Sequence, residues 1–188
     1  MAHSPHAQPY FFWLDMEMTG LDETCDHVLE VAVRVTDSAF IPIEDYQQVV
    51  FQSDEVLKNM NDWCKEHHGK SGLTALVPTG KPILTVENDL LALCSRHFST
   101  ADRIVLCGNS IGNDRRFIER YLPRFAKRLH YRMIDVSSFK EVFKGLYSIK
   151  FEKKNAHRAI DDIAESVAEL QHYLTFVKIP VAPKAGAV

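Results

Sequence analysis

The feature that most constrains this chain is a run of aromatic and aliphatic residues, Tyr10-Phe11-Phe12-Trp13-Leu14, leading without a break into Asp15-Met16-Glu17. Four aromatic rings in succession suit a strand and make a poor helix. A strand this apolar belongs at the middle of a sheet, which predicts a domain built around it. Side chains alternate along a strand, so Asp15 and Glu17, two apart, emerge on one face. Two readings fit the pair. Either the strand has ended and both acids face water, or two carboxylates are delivered to the margin of a core.

The 188 residues suffice for one domain with a sizeable core and are too few for two ordinary ones. Residues 28–36 alternate as a second strand, with Val31, Val33 and Val35 on one side. A third strand is expected over 46–51, Pro42 marking the bend before it. Ser53 reads as the cap of a helix carrying Val56, Leu57, Met60 and Trp63. Further helices are predicted from Thr85 to Phe98 and over 111–121, with a short strand at 104–107 between them. A strand over 131–136 follows, then a helix capped by Ser137 and running to Phe143. After a charged linker at 150–155, a last helix places Ile160, Ile163, Val167, Leu170 and Leu174 on one stripe. This order predicts an α/β fold, a mixed sheet with helices packed on it, as a single domain over 10–178. Residues 1–9 and 179–188 read as a disordered lead-in and tail.

Composition narrows the partners. A formal net charge of −3 offers no broad basic face for gripping a long duplex, but a binder of short strands needs only a local basic site. Arg115, Arg120, Arg124, Lys127, Arg128 and Arg132, opposed by Glu119, supply a candidate patch, although Arg124, Lys127 and Arg128 read equally well as a solvated face. Cys25, Cys64, Cys94 and Cys107 form no CxxC pair, so neither a zinc cluster nor a disulfide framework is indicated. No apolar run reaches membrane-spanning length, and no membrane partner is expected. The lead-in lacks arginine and any secretory pattern, so a cytoplasmic location is expected, with mitochondrial as the alternative.

Two more acids sit where a core should be. On a helix Asp114 shares its face with Phe117, Ile118 and Tyr121, although a first-turn acid also favours a helix N-terminus. Asp162 lies between Ile160 and Ile163 at the edge of an apolar stripe, where Ala159 and Ser166 leave space. Acids gathered in a dry site raise one another's pKa and need cations beside them. Oxygen ligands indicate Mg²⁺ or Mn²⁺, and a pair of such ions suits phosphodiester hydrolysis. His157, five residues before Asp162, belongs at the helix entrance or in the loop before it. An imidazole of pKa about 6.5 suits removal of a proton from water, though such a histidine also reads as an exposed or capping group.

Three segments together resemble the oligoribonucleases, in the histidine-containing branch of the DEDD exonuclease superfamily: Leu14-Asp15-Met16-Glu17-Met18-Thr19-Gly20-Leu21, Cys107-Gly108-Asn109-Ser110-Ile111-Gly112-Asn113-Asp114, and His157-Arg158-Ala159-Ile160-Asp161-Asp162. The resemblance takes in Asp62-Trp63-Cys64 and His130-Tyr131-Arg132, from Phe12 to Tyr173. Met16, where the family usually has leucine, and Ser138, where threonine is common, are mild departures, and 143–155 is less typical.

The resemblance implies a ribonuclease H-like fold and a 3′→5′ exoribonuclease that degrades RNAs of two to five nucleotides, dinucleotides above all. It implies metal ligands Asp15, Glu17, Asp114 and Asp162 for two divalent cations, with His157 as general base. Leu21 and Trp63 would sandwich a base, while Trp63 also fits a core position beside Met60. Tyr131 and Arg132 would reach across a homodimer to the partner's substrate and hold its 5′-phosphate, helped by Ser110 and Ser137, with His68 near the scissile end. An exonuclease for longer strands and a catalytically silent RNA-binding module on the same fold are the competing readings.

Overall fold

The structure is a computed structural model that describes residues 10–152 and 158–178. The aromatic run forms the centre of a five-stranded sheet, as its apolarity requires. The strands are β1 (Tyr10–Met18), β2 (Val28–Asp37), β3 (Pro42–Val49), β4 (Ile104–Gly108) and β5 (Leu129–Asp135), in the spatial order β3-β2-β1-β4-β5. β1 is antiparallel to β2, and β2 to β3, whereas β4 is parallel to β1 and to β5. The sheet is therefore mixed, and helices cover both faces. The helices are α1 (Asp54–Asn59), α2 (Asp62–Lys70), α3 (Leu73–Leu76), α4 (Ile83–His97), α5 (Gly112–Tyr121), α6 (Pro123–Ala126), α7 (Val136–Tyr147) and α8 (Ala159–Leu174).

Alternation along β1 sorts the core into two layers. Phe12, Leu14 and Met16, with Val31, Val33 and Val35, pack against Leu90 and Leu93 of α4, Phe117 and Ile118 of α5, and Phe125 of α6. Trp13, Ala32 and Cys107 face the other way, onto Val136 of α7 and Ala159, Ile163, Val167 and Leu170 of α8. Asp15 and Glu17 share the parity of Trp13, so they emerge on the α8 side just past the apolar contacts. A small third cluster, Leu29, Met60, Cys64, Leu73 and Val77, anchors α2 and α3 to β2.

Four local expectations change. Pro42 does not mark the bend but opens β3; that strand is an edge, where a missing N–H is tolerated. The turn falls at Phe40, with φ of 64°. The single helix from Ser53 is two. Met60 leaves helical geometry (ψ 146°) and buries itself in the third cluster, and Asn61 caps α2 by accepting from the Cys64 amide. The cap of α7 is Asp135, two residues before the expected serine, because its carboxylate accepts from the Ser137 amide at 2.9 Å. α7 also runs on to Tyr147, ended by Ser148 at φ 58°. The lead-in and the tail fall outside the described residues, as does the second half of the charged linker. Among the described residues no helix is long and apolar enough to cross a membrane.

Glu87 of α4 ties the helical layer together. Buried to 3%, it accepts from the amides of Arg124 and Phe125 at 2.7 and 3.2 Å and from Arg124 Nε at 2.7 Å, so it caps α6 from another helix. Glu87→Ala strands those donors and should destabilise the fold by about 2 kcal/mol, read as a lower urea midpoint. A midpoint equal to the parent's would show that the cap contributes nothing.

Candidate metal centre

β1 continues through both of its acids. Asp15 lies opposite Ala32 and Glu17 opposite Glu30 in the β1–β2 register, so the strand does not end before them. The opposing group comes from the first turn of α8, where the Asp162 amide bonds to the Arg158 carbonyl at 3.0 Å. Asp161 beside it points to solvent. One carboxylate oxygen from each of Asp15, Glu17 and Asp162 lies within 4.8 Å of the other two, and all three residues are half-buried.

Such proximity is electrostatically costly. Burial, then the charges of Asp162 and Glu30, push the Glu17 carboxyl up to about 7, against an opposing pull from Arg158. A cation at the cluster reverses that repulsion. The donor set, three carboxylates and no sulfur, suits a hard divalent ion, and the residues fit one.

Asp114 is placed differently. It is buried with Phe117 and Ile118 on the inner face of α5, as its spacing indicated, and its Oδ1 accepts from the Met16 amide at 2.9 Å. β4 pairs with β1 only at Phe12–Leu106 and Trp13–Cys107, so beyond that point the β1 main chain is available to α5. Gly108 permits the close approach at the split, since a Cβ there would sit 2.7 Å from the Leu14 carbonyl oxygen. Burial raises the Asp114 pKa and the Met16 amide opposes the rise. Asp114 thus lies on the backbone between the two β1 acids but outside the three-carboxylate cluster. His157 lies outside the described residues.

A cavity of about 420 Å³ opens beside Glu17, with Leu21, Asn61, Trp63 and His68 in its wall. Leu21 is 62% and Trp63 58% exposed, so Trp63 is no core partner of Met60. The Trp63 ring stacks on His67 at 3.9 Å. Arg116 holds the Leu21 loop by donating to the Leu21 carbonyl at 3.2 Å. His68 is buried; its Nε2 donates to the Met18 carbonyl at 2.8 Å, and its Nδ1 lies 3.8 Å from Glu17 Oε2.

The two serines are brought together by a residue that sequence reasoning missed. Asp135 Oδ1 accepts from the amides of Ser110 and Ser137, both at 2.9 Å, and from the Ser137 hydroxyl at 2.6 Å. An aspartate directly before a helix was the available signal. Glu30 was missed as well, although a charge in the otherwise apolar stretch Val28-Leu29-Glu30-Val31 marked it. Tyr131 and Arg132 sit exposed on the edge strand β5, outside the cavity wall, the guanidinium 5.0 Å from the Tyr131 ring centre. Most of the basic run serves the fold. Arg115 binds Glu119 and the His130 carbonyl, Arg124 binds Glu87 and Asn88, and Arg128 binds the Ser99 carbonyl. The expected patch therefore narrows, because these guanidinium groups are taken up by carbonyls, an amide and carboxylates of the fold.

Residues 12–170 match the RNase T family model, described as exonuclease. Human mitochondrial oligoribonuclease is 44% identical over 167 residues, covering 86% of this chain and 70% of that one. The probable oligoribonuclease of Dictyostelium discoideum is 46% identical over 164 residues, covering 86% of each chain. The oligoribonuclease of Colwellia psychrerythraea is 44% identical over 165 residues, covering 86% and 91%. Among solved structures, the zinc-bound complex of E. coli exonuclease I with single-stranded DNA aligns with a TM-score of 0.72 at 16% identity, a likeness of fold. That alignment covers 90% of this chain, which spans about two fifths (41%) of that structure. The cytoplasmic expectation is overturned: the human, bovine, mouse and yeast relatives are all named mitochondrial. With its acid cluster, its cavity and 159 matched residues (12 through 170), the chain belongs to the oligoribonuclease family of DEDD-type exonucleases and is a metal-dependent exonuclease.

Proposed function

We propose that the chain hydrolyses very short oligoribonucleotides, dinucleotides above all, from the 3′ end to nucleoside 5′-monophosphates. The observation that carries this reading is the three-carboxylate cluster, whose Glu17 also lines a cavity walled by Leu21 and Trp63. A volume of about 420 Å³ suits a single nucleotide unit. Stacking between an aliphatic and an aromatic side chain accepts any base, because every base has a π face.

Asp15, Glu17 and Asp162 would hold one Mg²⁺ or Mn²⁺ ion, and Asp114, with an oxygen beyond the one bonded to Met16, would help hold a second. Bound together, two such ions lower the pKa of a water and stabilise the departing oxygen. His157 takes the proton from the attacking water. The new bond forms between that oxygen and the terminal phosphorus, and the bond from phosphorus to the 3′-oxygen of the preceding nucleotide breaks. That 3′-oxygen takes up a proton from solvent water, so the shortened strand ends in a 3′-hydroxyl. His68, fixed on the Met18 carbonyl, orients Glu17 beside the scissile end.

Substrate length is set by the far end. The Ser110 hydroxyl, and the Ser137 hydroxyl once it turns away from Asp135, would offer donors to a 5′-phosphate. Tyr131, 72% exposed, and Arg132 lie on an unpaired sheet edge, where a second copy would bring them over its partner's substrate. Exposed Met133 on the same strand and Val142, Leu146 and Tyr147 on α7 provide apolar surface for that homodimer. A mitochondrial location, as in the names of the relatives above, is our reading for the chain.

The direct test is the hydrolysis rate for 5′-phosphorylated RNAs of two to ten nucleotides, with Mg²⁺ and with EDTA. A steep fall beyond about five nucleotides and silence in EDTA are expected; a flat profile would point to an exonuclease for longer strands. Tyr131→Ala should lower kcat/KM for a diribonucleotide by about tenfold or more, as loss of a hydrogen bond to a charged phosphate does, with the melting temperature unchanged. Unaltered kinetics would remove the shared-pocket idea. The apo protein also has a pH signature. Glu17, with its pKa raised to about 7, keeps its proton in the folded state while the unfolded group has lost it, so stability in EDTA falls as pH rises from about 4.5 to about 7. Glu17 contributes a loss on the order of 3 kcal/mol, which Glu17→Gln should remove, leaving the part that buried Asp114, its pKa raised as well, adds to the slope. A parent whose stability in EDTA rises across that window contradicts the electrostatic account.

A further inference from the structure

Glu30 is a fully buried carboxylate to which the proposed reaction gives no role. It sits in β2 directly opposite Glu17, with a relative exposure of 0%. Its Oε1 accepts from Arg158 Nη2 at 2.8 Å and from Gln47 Nε2 at 2.9 Å. Its Oε2 accepts from Arg158 Nε and from the Ala159 amide, each at 3.3 Å. The guanidinium thus meets the carboxylate as a fork, and the first amide of α8 is satisfied by a residue of the sheet.

That geometry is a remote cap. Arg158, the N-cap residue of α8, makes no side-chain capping bond of its own, so Glu30 fixes both the start of the helix and its rotation about its axis. Asp162 follows within the first turn, its amide on the Arg158 carbonyl. Residue 157 is covalently next to Arg158. Stability alone explains such an arrangement poorly. A buried ion pair is often matched or bettered by apolar side chains of the same volume, and a second carboxylate across from Glu17 adds repulsion to a crowded acid cluster.

We propose that Glu30, through Arg158, is a positioning residue for the reaction: it sets the start of α8 so that Asp162 meets Asp15 and Glu17. The inference rests on the function proposed above, and its test can fail separately from that reading. Glu30→Gln keeps the volume but breaks the charged fork. Its Mn²⁺ affinity, measured calorimetrically on the full chain, should weaken by about tenfold, and kcat on a 5′-phosphorylated diribonucleotide should fall by about ten- to a hundredfold, the range seen when groups supporting metal ligands are altered. KM should stay within about twofold, because the base cavity is built from the β1 loop and α2, away from α8. Arg158→Lys, which keeps the charge and loses the fork, should fold and show the same pattern more weakly; it carries the test where Glu30→Gln does not fold. Parent-like Mn²⁺ affinity and kcat in a folded variant overturn the proposal, as does a lowered melting temperature with kcat intact well below it. If the parent binds Mn²⁺ but cleaves no diribonucleotide, the functional reading fails, while the affinity comparison still decides whether Glu30 places Asp162.

Discussion

Mutual repulsion among Asp15, Glu17 and Asp162 is the constraint around which this domain is organised. Carboxylates do not gather within 4.8 Å unless the framework forces them to, and two separate parts of the framework do so here. β1 supplies two acids through strand alternation, anchored by the most apolar segment of the chain. α8 supplies the third from its first turn, driven onto the sheet by Ile163, Val167 and Leu170. The apolar layers are the source of the force, and the raised Glu17 pKa is its local signature. A cation converts the strain into affinity, so the features that disfavour the empty cluster favour the loaded one.

The layout also separates tasks by face. The sheet side with α4, α5 and α6 is a conventional core, whereas the α8 side carries the acids. Asp114 crosses between the two, rooted among Phe117 and Ile118 yet bonded to the β1 main chain. The cavity wall comes from a third unit, the Leu21 loop and α2, which the small cluster around Leu29 and Met60 holds in place. Each functional group thus rests on its own piece of buried apolar surface.

Much of this was legible in the chain. The aromatic run predicted the central strand, the parity of Asp15 and Glu17 predicted a shared face, and Asp114 betrayed itself by its position on a packing stripe. What escaped were features depending on pairings between distant segments. Glu30 looks like an ordinary strand charge until Arg158, 128 residues away, is folded onto it. Asp135 reads as a turn residue until Ser110, 25 residues earlier, turns its amide toward it. The basic run misled for the opposite reason: a sequence shows how many cations are present but not how many carbonyls and carboxylates the fold will set against them. Helix breaks at Met60 and the strand start at Pro42 likewise follow from burial and edge position, which local propensity does not encode.

The bond from the Met16 amide to Asp114 has a consequence for how the family can vary. Its donor is main chain, so the anchor is indifferent to which side chain residue 16 carries. That side chain points away from the acids, into the layer with Leu14 and Val31. Methionine where the resemblance leads one to expect leucine is an exchange of nearly equal volume that cores tolerate well. Position 16 stands between two acids of the cluster, yet its main chain and its side chain serve separate partners.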